Sequence, residues 1–178
     1  MSGTSPKKSN KKRVGVVMGS KSDLETMKEA VNVLKEFGLG FDIDVISCHR
    51  APQLAHDYAT GVEGKGYEVI IAGAGGAAAL PGVLASLTTV PVIGVPVVNQ
   101  GLGGTDALYS MVHMPGGVPV AVAGVGKTGA INAAILAVEI LGVQDSRLRG
   151  ALANYKKKLA EGVEKGSEEV KRELGAGD

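Results

Sequence analysis

Two polar loops carry the residues best suited to chemistry, and each follows a predicted β-strand. The first loop is Gly19-Ser20-Lys21-Ser22-Asp23, and the second begins Ser47-Cys48-His49-Arg50. Hydroxyls and backbone N–H groups at a helix start favour a phosphate or carboxylate, and a carboxylate such as Asp23 accepts hydrogen bonds from ribose hydroxyls. Histidine gains and loses a proton near neutral pH, and arginine holds an anion through two parallel hydrogen bonds. The pattern predicts a site for an anionic, hydroxylated ligand, with His49 available for proton transfer.

Both loops also have a purely structural interpretation. Ser22 with Glu25 matches a capping box at the start of the next helix, and a His-Arg pair is compatible with a surface turn. The position after an inner strand favours a functional role for His49. A nucleophilic cysteine needs a base within hydrogen-bond reach. The neighbouring His49 would point to the opposite face, as consecutive extended residues do, so Cys48 is predicted to be a buried, unreactive thiol. With three scattered histidines and one cysteine, no metal-ligand spacing is present and no metal site is expected.

Two glycine-rich segments resemble nucleotide-binding motifs without satisfying them. The segment Gly73-Ala74-Gly75-Gly76-Ala77-Ala78 fits G-x-G-x-x-A, but a dinucleotide site also needs an acidic residue about 20 positions later. The region Val92 to Val98 contains none, so backbone amides approaching a smaller ligand are expected instead. The segment from Gly124 to Thr128 resembles the end of a P-loop, yet Ala121 occupies the position of the first required glycine.

Short apolar runs alternate with helical patterns along the chain. One helix places apolar residues at helical spacing from Leu24 to Phe37 and ends at Gly38, and another begins at Pro52. Helices are also predicted for Gly76 to Leu87 and Gly129 to Leu141. Repeated βα units imply a parallel sheet covered on both faces, which predicts an α/β three-layer αβα sandwich, flavodoxin-like, with an extended C-terminal helix. The predicted strands are Val14–Val17, Ile43–Ile46, Val69–Ala72, Val92–Val95 and Val118–Val122.

Composition sets the domain organisation and excludes several classes of protein. Residues 1–12 are predicted to be a disordered basic leader, 13–143 a single catalytic domain, and 144–178 a C-terminal helix and tail involved in subunit assembly. The body beyond the leader has more acidic than basic residues, and the chain has no Trp, 2 Phe and 4 Tyr, which argues against nucleic acid as a partner. One cysteine and the lack of a signal peptide or long apolar run predict a cytoplasmic protein without a membrane partner.

Taken together, the motifs resemble the N5-carboxyaminoimidazole ribonucleotide mutases of de novo purine synthesis. The resemblance runs from about Arg13 to Leu159. The residues that carry it are Val16-Val17-Met18-Gly19-Ser20-Lys21-Ser22-Asp23, Ser47 with His49-Arg50 and Pro52, Ile70 to Ala78 with Leu80-Pro81-Gly82, Gly94-Val95-Pro96-Val97, Gly104 with Asp106, Leu108-Tyr109-Ser110, Met114 to Val120, and Asn132-Ala133-Ala134.

The resemblance implies an isomerase that needs no cofactor and no metal, assembled as a homo-octamer with sites at subunit contacts. Its substrate is a small ribonucleotide whose carboxylate moves from nitrogen to ring carbon 4. By the same resemblance His49 is the general acid/base. The segment Gly73 to Ala78 is expected to line the carboxylate pocket, with Gly73, Ala74, Gly75 and Gly76 as its substrate-binding residues. The residues that match the family's ribonucleotide-binding positions are Ser20, Asp23, Ser47 and Arg50.

The chain departs from the family pattern at several positions. Ala79 stands where the family usually has a second histidine, and Val98-Asn99-Gln100-Gly101 replaces a run of small residues. Asn99 or Gln100 could supply replacement hydrogen bonds, although neither titrates. Three alternatives therefore stay open: a carboxylase that uses free CO2, a non-catalytic paralogue that binds a ribonucleotide, and a mutase-like enzyme for another carboxylated ligand.

Overall fold

Five strands and six helices alternate within residues 11–99 and 101–176, the part of the chain that the computed structural model describes. The strands are β1 (Lys12–Met18), β2 (Gly40–Val45), β3 (Val69–Ala74), β4 (Val92–Pro96) and β5 (Ala121–Val122). The helices are α1 (Leu24–Glu36), α2 (Pro52–Gly61), α3 (Leu80–Leu87), α4 (Thr105–Val112), α5 (Gly126–Gly142) and α6 (Ser146–Glu173).

The strands form one parallel sheet in the order β2-β1-β3-β4-β5. Helices α1, α5 and the start of α6 cover one face, and α2, α3 and α4 cover the other. The predicted α/β sandwich is therefore confirmed. Because the chain moves from β1 to β2 on one side and then to β3 on the other, a crevice opens at the carboxyl ends of β1 and β3, where ligands bind in such sheets.

The predicted strands were right for the centre of the sheet and less accurate at its edges. Strands β1, β3 and β4 are buried on both faces, as continuous apolar runs require. Ile43 and Val45 of the edge strand β2 are exposed, so the expectation of a sheet covered on both faces was wrong for this strand. Only Ala121–Val122 of the last predicted strand pair in the sheet, and α4 was not predicted.

Helix starts differ from prediction because backbone turns precede them. A short 3₁₀ turn, Lys21–Asp23, comes before α1, and its capping box joins Ser20 to Asp23 rather than Ser22 to Glu25. Helix α3 begins at Leu80 and not at Gly76, and α5 begins at Gly126 rather than Gly129. The end of α1 was predicted correctly: Gly38 has a φ of 67° and donates its N–H to the Lys35 carbonyl at 3.0 Å.

The C-terminal helix packs on its own domain through its first half only. Leu148 and Leu152 are buried in the core, and the Tyr155 ring lies 5.6 Å from that of Phe37. Further along, Leu159 and Val163 are 54% and 74% exposed. The predicted basic leader lies outside the described residues except for Lys11 and Lys12, and Lys12 is already the first residue of β1. None of the described helices combines the length and apolarity that crossing a bilayer requires.

Candidate active site

A cavity of about 320 Å³ lies at the carboxyl edge of the sheet, where the loops after β1, β2 and β3 converge. It contains seven of the nine predicted site residues: Ser20, Asp23, Ser47, His49, Arg50, Ala74 and Gly75. Its other lining residues are Gly19, Ser22, Cys48, Ala78, Ala79, Leu80 and Asn99. Gly73 and Gly76 lie outside this lining.

The first loop is held by hydrogen bonds of its backbone and its side chains. The Gly19 N–H donates to the Gly73 carbonyl at 3.0 Å, which ties the loop to the end of β3. The Ser20 N–H donates to Asp23 Oδ2 at 2.9 Å, and Ser22 Oγ donates to Ser20 Oγ at 2.9 Å. Capping of this kind satisfies backbone groups that the first helical turn leaves free. These hydrogen bonds restrict the conformation of the loop.

Asp23 is the buried carboxylate of the cavity, with 3% of its surface exposed. Burial raises the pKa of Asp23 above the ordinary value. Hydrogen bonds from the Ser20 N–H and the Ser22 hydroxyl, together with the positive charge of Arg50, offset part of this increase. Desolvation disfavours the ionised form of any carboxyl group. Asp23 thus carries acceptor oxygens in a sheltered position, suited to hydroxyl groups of a ligand.

The second loop is a tight turn that orients an arginine toward the first loop. The Ala51 N–H donates to the Ser47 carbonyl at 2.8 Å. Arg50 Nε donates to Ser47 Oγ at 3.1 Å, and Arg50 Nη2 donates to the Gly19 carbonyl at 3.4 Å. Arginine has five N–H donors in a rigid fork, so Arg50 bridges both loops and keeps donors for an anion. His49, next to it, is exposed on the cavity wall.

The third loop brings backbone close to the cavity through an unusual turn. The Ala78 N–H donates to the Gly75 carbonyl at 3.3 Å, and φ is 63° at Gly76 and 30° at Ala78. A positive φ at a residue with a side chain is uncommon and costs energy. Ala79 is the N-cap of α3 and makes no side-chain cap, so the first N–H groups of α3 keep no partner from that side chain. This loop offers backbone donors, small side chains and a helix N-terminus.

The two predicted residues outside the lining have other surroundings. Gly73 lies near the end of β3 and packs against the buried Met27. A Cβ at Gly73 would lie 2.3 Å from Met27 Sδ. Gly76 provides the positive φ of the turn. The Gly73 carbonyl accepts a hydrogen bond from the Gly19 N–H of the first loop at 3.0 Å.

Several lining residues lacked a sequence signal or had one that was read differently. Ser22 was interpreted as a helix cap, yet it lines the cavity and donates to Ser20. Asn99 follows β4, the strand next to β3. The position of β4 in the sheet is the signal that would have placed Asn99 at the cavity. Gln100 lies outside the described residues. Cys48 is half-buried at the cavity, and burial raises its pKa, which opposes the nucleophilic thiolate form.

The other histidines lie away from the cavity. His56 on α2 contacts Asp57 at 3.2 Å, and the ring of His113 after α4 lies 5.5 Å from that of Tyr109. Over residues 11–99 and 101–176, His, Cys, Asp and Glu form no group of three or more that could bind a metal.

Known proteins resemble the chain over most of its length. A profile of the AIR carboxylase family matches residues 13–162. N5-carboxyaminoimidazole ribonucleotide mutase of Pyrococcus horikoshii is 51% identical over 157 residues, which cover 88% of each chain. The Aquifex aeolicus protein of the same name is 56% identical over 131 residues, or 74% of this chain and 77% of that protein. The crystal structure of Treponema denticola PurE has a TM-score of 0.79 at 26% identity, covering 89% of this chain and 98% of that one.

Proposed function

The chain belongs to the AIR carboxylase family, and on this premise we propose that it is a mutase of purine biosynthesis. It moves the carboxylate of N5-carboxyaminoimidazole ribonucleotide from the exocyclic nitrogen to carbon 4 of the imidazole ring. The relatives named for this reaction match most of the chain. The observation that carries the proposal is the single cavity in which a histidine, an arginine and a buried carboxylate meet backbone of a glycine-rich loop.

The cavity offers a separate group for each part of the ribonucleotide. Arg50 and the hydroxyl of Ser20 bind the phosphate, because both can donate hydrogen bonds to its oxygens. Asp23 accepts hydrogen bonds from ribose hydroxyls, since an ionised carboxylate beside a phosphate would repel it. Ser47 positions Arg50: its Oγ accepts a hydrogen bond from Arg50 Nε at 3.1 Å. The loop containing Ala74 and Gly75 lies beside the group that migrates.

His49 serves both chemical steps. In the first step the bond between the carbamate carbon and nitrogen breaks, its electron pair stays on nitrogen, and protonated His49 delivers the proton that nitrogen needs. Aminoimidazole ribonucleotide and CO2 then share the cavity. In the second step ring carbon 4 attacks CO2, and neutral His49 removes the proton that carbon 4 carried. The histidine is protonated again at the end, so no outside acid or base is consumed.

The test is turnover of freshly prepared N5-carboxyaminoimidazole ribonucleotide, followed by chromatography of the carbon-4 carboxylated product. His49→Asn should lower turnover by about 10²–10⁴-fold, the usual contribution of a positioned acid/base. His56→Asn is the matched control, because His56 is exposed on α2 and outside the cavity. Near-normal turnover in His49→Asn would overturn the role of His49. Ribonucleotide binding without wild-type turnover would instead identify a non-catalytic paralogue, the alternative that Ala79 favours.

The proposal includes a homo-octamer in the cytoplasm. Support for assembly comes from α6, whose exposed apolar residues continue the stripe that packs on the domain. Apolar residues repeat every 11 residues along α6, close to three turns of helix. Two of them, Leu148 and Leu152, are buried in the core. The residues that continue the two series, Leu159 with Val170 and Val163 with the C-cap Leu174, are exposed. An uncovered apolar stripe of this kind is typical of an interface. The single unpaired Cys48 suits a reducing compartment.

Light scattering of the purified protein tests the assembly. The wild-type particle should have eight times the 18.1 kDa chain mass. Leu159→Lys combined with Val163→Lys should give smaller particles, because burying two unpaired charges opposes association. Lys165→Ala, on the same exposed part of α6, should leave the mass unchanged. A wild-type monomer would refute the octamer without bearing on the chemistry.

A further inference from the structure

We propose that Asn99 binds the migrating carboxylate and retains CO2 between the two steps, in a chain whose position 79 lacks a polar side chain. This inference rests on the proposed function, and it assigns a specific task to a residue outside the set that the family resemblance implied.

The sheet determines where Asn99 lies. Ala74 at the end of β3 pairs with Pro96 of β4, and the Val97 N–H donates to the Ala74 carbonyl at 2.9 Å. The ladder therefore continues one residue beyond β4, and Asn99 follows two residues later. At that point the neighbouring chain is the third loop, which begins at Gly75.

The Asn99 side chain rests directly on Gly75. A Cβ at Gly75 would lie 2.1 Å from Asn99 Nδ2 and 2.7 Å from its Cγ. The space that a larger residue at position 75 would fill is thus occupied by the carboxamide. This contact places the amide group of Asn99 on the loop that lines the carboxylate end of the cavity.

Polar side chains are unevenly distributed around the cavity. The first and second loops provide hydroxyls, a carboxylate, a guanidinium and an imidazole. Among the described lining residues, the end of β3, the third loop and the start of α3 contribute Ala74, Gly75, Ala78, Ala79 and Leu80, and Asn99 is the one polar side chain that accompanies them. A carboxylate placed there has backbone and Asn99 to donate hydrogen bonds.

The chemistry of a carboxamide fits this task. Its NH2 group donates to a carboxylate oxygen in substrate and product, and it does not titrate. It therefore cannot compete with His49 for the proton. Linear CO2 is a weaker acceptor than either carboxylate, so its retention depends on contact with the small apolar side chains and on the amide of Asn99, which slows its escape.

The experiment compares wild type, Asn99→Asp and Asn99→Ala with the control Asn32→Asp, which changes an exposed asparagine on α1. Each protein receives N5-carboxyaminoimidazole ribonucleotide in buffer containing ¹³C-bicarbonate. Three quantities are measured: kcat/KM for the carboxylated product, the fraction of substrate released as aminoimidazole ribonucleotide, and ¹³C in the product.

Asn99→Asp should lower kcat/KM by about 10–100-fold, because a donor to a charged group is replaced by a like charge. Asn99→Ala should release more aminoimidazole ribonucleotide and incorporate more ¹³C than wild type, because CO2 escapes and exchanges. The melting temperature should not change, since Asn99 is exposed.

The outcomes separate this inference from the proposed function. Wild-type turnover with unchanged kcat/KM, release and ¹³C content in both Asn99 variants would overturn the inference and leave the mutase intact. Equal losses in Asn32→Asp would also overturn it. Absence of turnover in the wild-type protein would overturn both.

Discussion

Gly73, near the end of β3, and Gly75, in the loop that follows it, should respond to alanine in different ways. Gly73 and Gly75 both approach a side chain so closely that a Cβ would overlap it, at 2.3 Å from Met27 Sδ and 2.1 Å from Asn99 Nδ2. Met27 is fully buried, whereas Asn99 is exposed. Neither glycine has a positive φ that would itself exclude alanine. The difference therefore depends on whether the contacted side chain can move.

Gly73→Ala should destabilise the protein. Overpacking a core costs about 1–3 kcal/mol, and the lower entropy of the unfolded alanine chain offsets roughly 0.4–1 kcal/mol of it. The expected net loss of unfolding free energy is up to about 2.6 kcal/mol, or up to roughly 10 °C in melting temperature for a chain of this length. Gly75→Ala should change the unfolding free energy by less than about 0.5 kcal/mol, because Asn99 can rotate away.

The activities should follow the reverse order. Gly75→Ala displaces Asn99 from the cavity and lowers kcat/KM, whereas folded Gly73→Ala keeps the residues that line the cavity. Melting curves measure the effect on stability. They are recorded at one protein concentration, because the proposed assembly would make the melting temperature concentration-dependent. The effect on activity is measured as kcat/KM per folded protein.

A double-mutant cycle tests the cause of the Gly73 effect. Met27→Ala removes the side chain that the new methyl group would meet, so Gly73→Ala should cost less in the Met27→Ala background. An equal cost in both backgrounds would refute the packing argument. Equal stability losses for Gly73→Ala and Gly75→Ala would refute the distinction between the two glycines.

Two further predictions concern charged residues. Asp23→Asn should lower kcat/KM by about 10–100-fold through weaker binding of ribose hydroxyls. Because burial raises the pKa of Asp23, its ionisation reduces the stability of the wild-type protein as pH rises above the ordinary value of 3.8. In denaturant titrations the variant should therefore gain stability relative to wild type between pH 4 and pH 7. Unchanged kcat/KM would contradict the binding role of Asp23. Glu68 accepts hydrogen bonds from Arg13 Nε and Nη2 at 2.7 and 2.9 Å, which lower its pKa. The stability that this pair contributes is present above the ordinary glutamate pKa of 4.5 and is lost as pH falls below it. Arg13→Met should therefore lose less unfolding free energy than wild type on acidification. An identical dependence of unfolding free energy on pH in wild type and variant would rule out this pair as the source of the loss.

Much of the architecture could be predicted because it depends on local patterns. The central strands are continuous apolar runs because both faces of the sheet are covered, and α1 shows a clear apolar face. Loops that follow parallel strands must meet at one edge of the sheet. That rule was sufficient to bring together Ser20, Asp23, His49 and Arg50, which the structure places around one cavity.

Other features depend on contacts that no local pattern contains. The same glycine-rich segment supplies Gly73 to the core beside Met27 and Gly75 to the cavity beside Asn99. Periodicity cannot separate these two environments, because they arise from residues distant in sequence. The start of α3 was misplaced for a related reason: small residues fit a helix as well as a turn, and the positive φ of Ala78 becomes evident only in the structure.

The sequence by itself determined the fold class, the family resemblance and the residues of the first two loops. These follow from the order of strands and helices and from residue types that act within a few positions of one another. Tertiary structure alone decided that Asp23 is buried, that Arg50 connects two loops, that α6 packs on its own domain through Leu148 and Leu152, and that Asn99 covers Gly75. Each of these depends on side-chain packing between segments far apart in the chain, which burial and distance define and sequence spacing does not.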